Sequence, residues 1–166
     1  LAIKYKLNIM SKNILLLSIK PVYAEKIFSG KKKVELRRVR SRLNMGDLVF
    51  VYVSSPRKAL VGSFEVDRIS QIEIKIPTDL NYFWEMVQVQ AGITYEEFES
   101  YYKGASLGVG FFFTKIKIFA SPIDLEQLRE KIPEFRPPQS YRYLKESELN
   151  ILKSLMQENT AIATYK

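Results

Sequence analysis

The chain has 166 residues, 46% of them hydrophobic and 27% charged, which suits one folded domain with a substantial core. It contains no cysteine and no histidine. Disulfides and thiolate chemistry are therefore excluded, the usual base at neutral pH is missing, and neither a metal nor another cofactor is expected.

The formal charge is +8, and residues 12–42 hold ten Lys or Arg against two acids, Glu25 and Glu35, so one segment carries the whole excess. Such concentration favours an anionic partner through counterion release and long-range steering. The plainer alternative is a solvated basic face. No apolar run reaches the ~20 residues that cross a bilayer, and the first residues lack a signal-peptide pattern. No membrane association and a reducing, cytoplasmic setting are the expectations.

In chain order, residues 1–12 have no clear period and are expected to be a flexible N-terminal extension. Ile14–Ile19 is a β-branched and leucine run closed by Lys20-Pro21, the pattern of a strand buried on both faces. Pro21 suits a first helical turn; Tyr23, Ala24, Ile27 and Phe28 mark one helical face, and Gly30 suits the left-handed residue that ends the helix. From Lys33 the period changes to two. Glu35 and Arg37 should project from one face of a half-buried strand, with Val34 and Leu36 on the other.

Met45-Gly46-Asp47 reads as a turn and Leu48–Val53 as a central strand. Ser54–Lys58 is a second turn, and Ala59–Val66 is another strand, in which Gly62 suggests a bulge or close approach. Weak alternation over Ile69–Ile76 suits its continuation. A helix should open at Pro77 and carry Leu80, Phe83, Trp84 and Val87 on one stripe until Gly92. Thr94 and Glu97 form a capping-box pattern for a further helix with Phe98, Tyr101 and Tyr102. These aromatics suit base stacking or a core, and helical spacing favours the core.

Ala105–Phe119 reads as a long strand with Lys115 and Lys117 on a wet face. Asp124 and Gln127 suggest another capping box. Arg136–Tyr143 reads as a stiff connector and Glu146–Met156 as a last helix, with a frayed tail over residues 158–166. Strands flank a run of helices without regular βαβ alternation. The expected class is α+β: a mixed sheet curled toward a barrel, with surrounding helices, in one domain over residues 13–157.

Gly30-Lys-Lys-Lys-Val-Glu-Leu-Arg37 resembles the Gly-x-Lys-x-x-Glu-x-Arg motif of ASCH domains, a branch of the PUA-like superfamily. The flanks resemble the family too: Ser18-Ile-Lys-Pro-x-Tyr-Ala-Glu-Lys-Ile27 before the motif, Tyr52–Gly62 after it, and Arg136-Pro-Pro-Gln-Ser-Tyr141. The resemblance spans about residues 13–144 and implies a PUA-like barrel with a cleft that binds RNA or a nucleoside. Family members are linked to RNA binding, transcriptional coactivation and ribonuclease action. One branch resembles an amidohydrolase for N4-acetylcytidine, in which the motif lysine is paired with a threonine three residues on. Here those positions are Lys32 and Glu35, a departure from that mechanism.

The candidate ligand-binding residues are Gly30, Lys32, Glu35, Arg37, Arg38, Ser54, Ser55, Arg57 and Tyr141; Lys32 and Glu35 are the catalytic candidates if the protein is an enzyme. Lysine offers a compact charge, arginine a planar fork for phosphate, and glutamate an acceptor for an exocyclic amine. Ser54, Ser55 and Arg57 suit a phosphate or a plain hairpin turn. Tyr141 suits stacking on a base or anchoring the connector. Strict alternation places Lys33, not Lys32, beside Glu35 and Arg37, unless the strand begins after Lys32. Three functions remain open: RNA binding, an enzyme acting on RNA or a modified nucleoside, and a module for an acidic protein partner.

Overall fold

The computed structural model describes residues 13–164, so the N-terminal extension expected at residues 1–12 lies outside the described residues. The order is β1 (Ile14–Ile19), α1 (Pro21–Phe28), β2 (Val34–Arg37), β3 (Leu48–Val53), β4 (Ala59–Glu73), α2 (Pro77–Ala91), α3 (Tyr95–Tyr102), β5 (Leu107–Asp124), α4 (Leu125–Lys131), β6 (Tyr141–Tyr143) and α5 (Glu146–Thr164). The strands form one sheet in the order β2-β5-β4-β3-β1-β6. β1 and β3 are parallel and the remaining pairs antiparallel. The α+β class and the curled mixed sheet are as expected, with the sheet closing as a half-barrel.

Side chains alternate across this sheet, and both faces are covered. Leu15, Leu17, Val49, Val51, Phe64, Phe111 and Phe113 pack with Ala24 and Ile27 of α1 on one side. Leu16, Phe50, Leu60 and Ile123 pack against Leu128 of α4 and Leu152 and Leu155 of α5. A third cluster joins Val34, Leu36 and Phe112 to Phe83 and Val87 of α2 and to Phe98 and Tyr102 of α3. The consecutive phenylalanines 111–113 thus serve two cores.

Curvature comes from irregular pairing between β4 and β5. The register shifts at Leu60/Gly62, Ser63/Glu65 and Val66/Arg68, and each such bulge bends and twists a strand. At Gly62 the approach is closest: a Cβ there would lie 2.3 Å from the Lys117 carbonyl oxygen and 2.8 Å from the Phe28 ring. Glycine is required by space, as its strand position suggested.

Several local expectations are corrected. Lys115 adopts φ +50°, which breaks the alternation and leaves Ile118 exposed on the outer end of β5. β5 continues through Pro122 to Asp124 because it remains paired to β4, with Ala59 opposite Asp124. Asp124 makes no side-chain cap on α4; its carboxylate lies 3.4 Å from Arg57. The connector at residues 136–143 ends in β6, which pairs with β1. The last helix runs past the expected Met156 as far as Thr164. No helix among the described residues is long and apolar enough to cross a membrane.

Arg142 of β6 fastens this last segment. Its two Nη groups donate to the two oxygens of Glu148 at 2.9 and 2.8 Å, and its Nε donates to the Arg136 carbonyl at 3.1 Å. Partial burial pushes the Glu148 carboxyl up, but the Arg142 hydrogen bonds, the Lys145 amide and the charges of both residues together outweigh it and leave the group below its usual 4.5. The linked stability is present above pH 4.5 and is lost as pH falls through the folded value. Glu148→Gln should lower stability by about 1 kcal/mol at neutral pH. Urea midpoints of the two proteins should converge in acid; a pH-independent gap would contradict this account.

Candidate functional site

The turn between α1 and β2 is built against the end of another helix. α1 closes at Gly30 with φ +79°. The Lys32 amide then donates back to the Lys26 carbonyl, and the Lys33 amide donates to Gln90 of α2, each at 2.8 Å. The C-terminal carbonyls of a helix are orphan acceptors at its negative dipole end. Two ammonium groups occupy them: Lys26 Nζ donates to the Gly92 oxygen at 2.8 Å and Lys32 Nζ to the Ala91 oxygen at 2.9 Å. Gly92, at φ +65°, leaves the room; a Cβ there would meet Lys32 Cβ at 3.0 Å and the Lys31 oxygen at 3.1 Å.

Lys32 is consequently 4% exposed. Burial pushes its ammonium below the ordinary lysine value; the Glu35 charge opposes that shift, while Lys26 and Arg37 reinforce it. Lys33 is exposed to solvent. The strand begins at Val34, and the motif lysine enters the site from the turn rather than from the ladder.

In β2, Val34 and Leu36 point into the α2–α3 core, and Glu35 and Arg37 face the other way. Arg37 Nη2 lies 2.8 Å from Glu35 Oε1, and Nη1 donates to Ser140 Oγ at 2.7 Å. A guanidinium has five donors, so this pairing leaves donors for a ligand. The pair is largely enclosed, not a surface ladder.

These groups line a cleft of about 350 Å³, within the usual range for small-molecule sites. Ser18, Lys20 and Tyr23 come from the end of β1 and the start of α1, Ile93, Glu97 and Tyr101 from α3 and the loop before it, and Gln139 from the connector. Glu97 completes a capping box: its carboxylate accepts from the Thr94 amide at 2.7 Å, and Thr94 Oγ1 accepts from the Glu97 amide at 3.2 Å. Its charge also acts on Lys32. Tyr101 and Tyr102 donate to the Leu36 and Arg37 carbonyls at 3.3 and 3.0 Å, and burial pushes both phenols up. Ser18 Oγ is buried without a hydrogen-bond partner among the described residues.

Lys32, Glu35 and Arg37 therefore converge, while other sequence candidates do not line the cleft. Gly30 shapes the turn. Arg38 is exposed just beyond it. The Ser54 amide donates to the Ile19 carbonyl at 2.9 Å, and Ser55 and Arg57 stand on the exposed β3–β4 turn, where Arg57 faces Asp124. Tyr141 packs on the core that includes Ala24 and Ile27 of α1 and borders a small void that Glu35 and Arg37 also line. Sequence reasoning missed Ser18, Lys20 and Tyr23, although they lie in the flank that precedes the motif. It read Glu97 only as a cap. Among the described residues no cluster of three or more His, Cys, Asp or Glu is arranged to hold a metal ion. Chemically, the cleft offers ammonium and guanidinium donors beside two carboxylates, between tyrosine walls.

A family model described as the ASCH domain matches residues 17–159. An ASCH domain-containing ribonuclease of Zymomonas mobilis is 28% identical over 142 residues, covering 86% of this chain and 91% of that protein. The crystal structure of ASCH from Zymomonas mobilis superposes with a TM-score of 0.76 at 28% identity, over 86% of this chain and 94% of that one. The large ribosomal subunit protein uL22 of Ureaplasma parvum is 25% identical over 131 residues, 79% of this chain but 39% of that protein.

Gly92→Ala tests the packing beneath Lys32. Left-handed backbone alone should cost about 1–2 kcal/mol. Gly104, at φ +76° with open space within 4 Å of where a Cβ would stand, is the control for strain without contact. Urea unfolding should show the larger loss for Gly92→Ala; equal losses would mean that the Lys32 contact is slack.

Proposed function

This chain belongs to the ASCH domain family, and on that premise we propose that it binds single-stranded RNA at the cleft and cleaves it there. The observation that carries the reading is the convergence of Lys32, Glu35 and Arg37, with Glu97 opposite, in one nucleotide-sized cleft. The relative named as a ribonuclease supports an RNA-related role at the level of the family. A cytoplasmic setting belongs to the same proposal, consistent with a chain that has no cysteine.

RNA carries its own nucleophile, the 2′-hydroxyl. Arg37 and Lys20 hold the non-bridging oxygens of the scissile phosphate. Glu35, oriented by Arg37, accepts the 2′-hydroxyl proton. The 2′-oxygen then bonds to phosphorus while the bond from phosphorus to the 5′-oxygen breaks. The Lys32 ammonium gives its proton to the departing 5′-oxygen, and exchange with solvent returns both groups to their starting states. The products are a 2′,3′-cyclic phosphate and a 5′-hydroxyl. Burial of Lys32 favours this step, because an acid with a lowered pKa transfers its proton more readily.

A second reading, hydrolysis of an acylated nucleoside, is favoured by the carboxylate of Glu97 acting on Lys32. It lacks the threonine of the amidohydrolase branch, since Glu35 stands there. N4-acetylcytidine belongs in the same assay series.

Cleavage of labelled RNA should yield cyclic-phosphate ends and spare DNA of the same sequence. Lys32→Ala and Glu35→Gln should each lower the rate about 100-fold or more, and Arg37→Ala should weaken binding. Binding without cleavage would limit the function to recognition, and no binding at low salt would sink the proposal. Because protonated Lys32 is the donor and burial lowers its pKa, the rate should decline on an alkaline limb centred below 10.5. A limb that survives unchanged in Lys32→Ala would assign it to another group.

A further inference from the structure

Beyond the cleft lies an irregular segment that leaves Arg37 along the surface. Arg38, Arg40 and Arg42 are exposed, and among the described residues none of them is in an ion pair. The segment is nonetheless held in place. Leu43 is buried in the core that includes Ala24 and Ile27 of α1. The Arg42 amide donates to the Tyr143 hydroxyl at 2.7 Å, and its carbonyl accepts from Asn13 at 2.7 Å. The Arg42 guanidinium lies 4.5 Å from the centroid of the Tyr143 ring, and the Tyr141 hydroxyl faces the Arg40 carbonyl at 3.5 Å. The backbone is pinned from below while the charges face solvent.

The acids nearby do not neutralise these cations. Asp47 is buried and accepts from the Asn44 amide at 2.8 Å. Glu73, which borders the same shallow surface as Arg40, pairs with Lys75 at 3.1 Å. The contrast with the cleft is plain, because Arg37 is matched by Glu35.

We propose that Arg38–Arg42 is a phosphate track that continues the cleft and holds the RNA strand beyond the nucleotide seated there. The inference rests on the reading of the cleft as an RNA site, and it names the substrate as a strand of several nucleotides rather than a free nucleotide or nucleoside. The segment spans at most about 14 Å between its end residues, a reach suited to a few successive phosphates. Alternating guanidiniums on an irregular but pinned backbone match a repeating anion. The ring-backed Arg42 also presents a flat cation on which a base can stack.

The test compares the four nucleoside 3′-monophosphates with a 2′-O-methyl RNA of about eight nucleotides, a length within the footprint of single-strand binding folds. Wild-type protein should bind the oligonucleotide more tightly than any mononucleotide. The triple variant Arg38→Gln/Arg40→Gln/Arg42→Gln should lose about tenfold or more of oligonucleotide affinity, with a salt slope reduced by about two, and keep its mononucleotide affinity. The double variant Arg38→Gln/Arg40→Gln spares the Arg42–Tyr143 contact and should show a proportionate part of the loss. Oligonucleotide binding that is unchanged in both variants, or no tighter than that of a mononucleotide, would overturn the track. Equal binding of polyglutamate with equal loss in the variants would overturn it in favour of an acidic protein partner. Mononucleotide binding that is indifferent to Arg37→Ala would refute the cleft reading instead, so the two failures are distinguishable.

Discussion

The ammonium of Lys32 on the last turn of α2 is the contact from which the site is assembled. Burying a charge costs several kcal/mol in real proteins unless geometry offsets it. Here the offset comes from the Ala91 carbonyl, the dipole of a fifteen-residue helix, and the charges of Glu35 and Glu97. Each compensation constrains a different element. α2 must end at the turn, so Gly92 must be left-handed and lack a side chain. α3 must start within a few residues, which brings Glu97 over the ammonium. β2 must follow directly, which brings Glu35 and Arg37 to the same opening. The walls of the cleft meet because one cation needs partners from each of them.

The sheet makes the arrangement specific. In β2, Val34 stands opposite Phe112 and Glu35 opposite Phe111 on β5. A slip of one residue would turn Glu35 into the apolar α2–α3 core and Val34 into the cleft. The burial of Val34 and Leu36 against Phe83, Val87 and Phe98 therefore protects the position of two charged side chains that take no part in that core. Packing on one face sets chemistry on the other.

The residues differ in how far they reveal this. Apolar runs such as Ile14–Ile19 and Leu48–Val53 announced their strands, because both faces of the sheet are covered. The spacing of Glu35 and Arg37 announced a shared face, and the family motif singled out Lys32 among three consecutive lysines. What stayed hidden depends on contacts distant in the chain. Glu97 satisfies a local capping pattern completely, so nothing nearby suggests its second role. β6 is three residues long, preceded by a proline-rich connector, and exists by pairing with β1. Asp124 fits a cap pattern, yet the β4–β5 ladder keeps it extended. The polar turn Ser54–Lys58 has the same composition whether it borders a cleft or faces open water.

Composition located the charge excess in one segment, and the fold then divides it by task. Lys26 and Lys32 are engaged at the end of α2, and Arg37 with Glu35. Lys31, Lys33, Arg38, Arg40 and Arg42 remain exposed. Enclosed charges are weakly screened by salt, whereas exposed ones lose their reach beyond about 10 Å at moderate ionic strength. Contacts made inside the cleft should therefore tolerate salt far better than contacts made at the exposed edge. A dense basic turn that looked like one surface is thus two, a compensated cluster enclosed against the end of α2 and an uncompensated edge open to solvent.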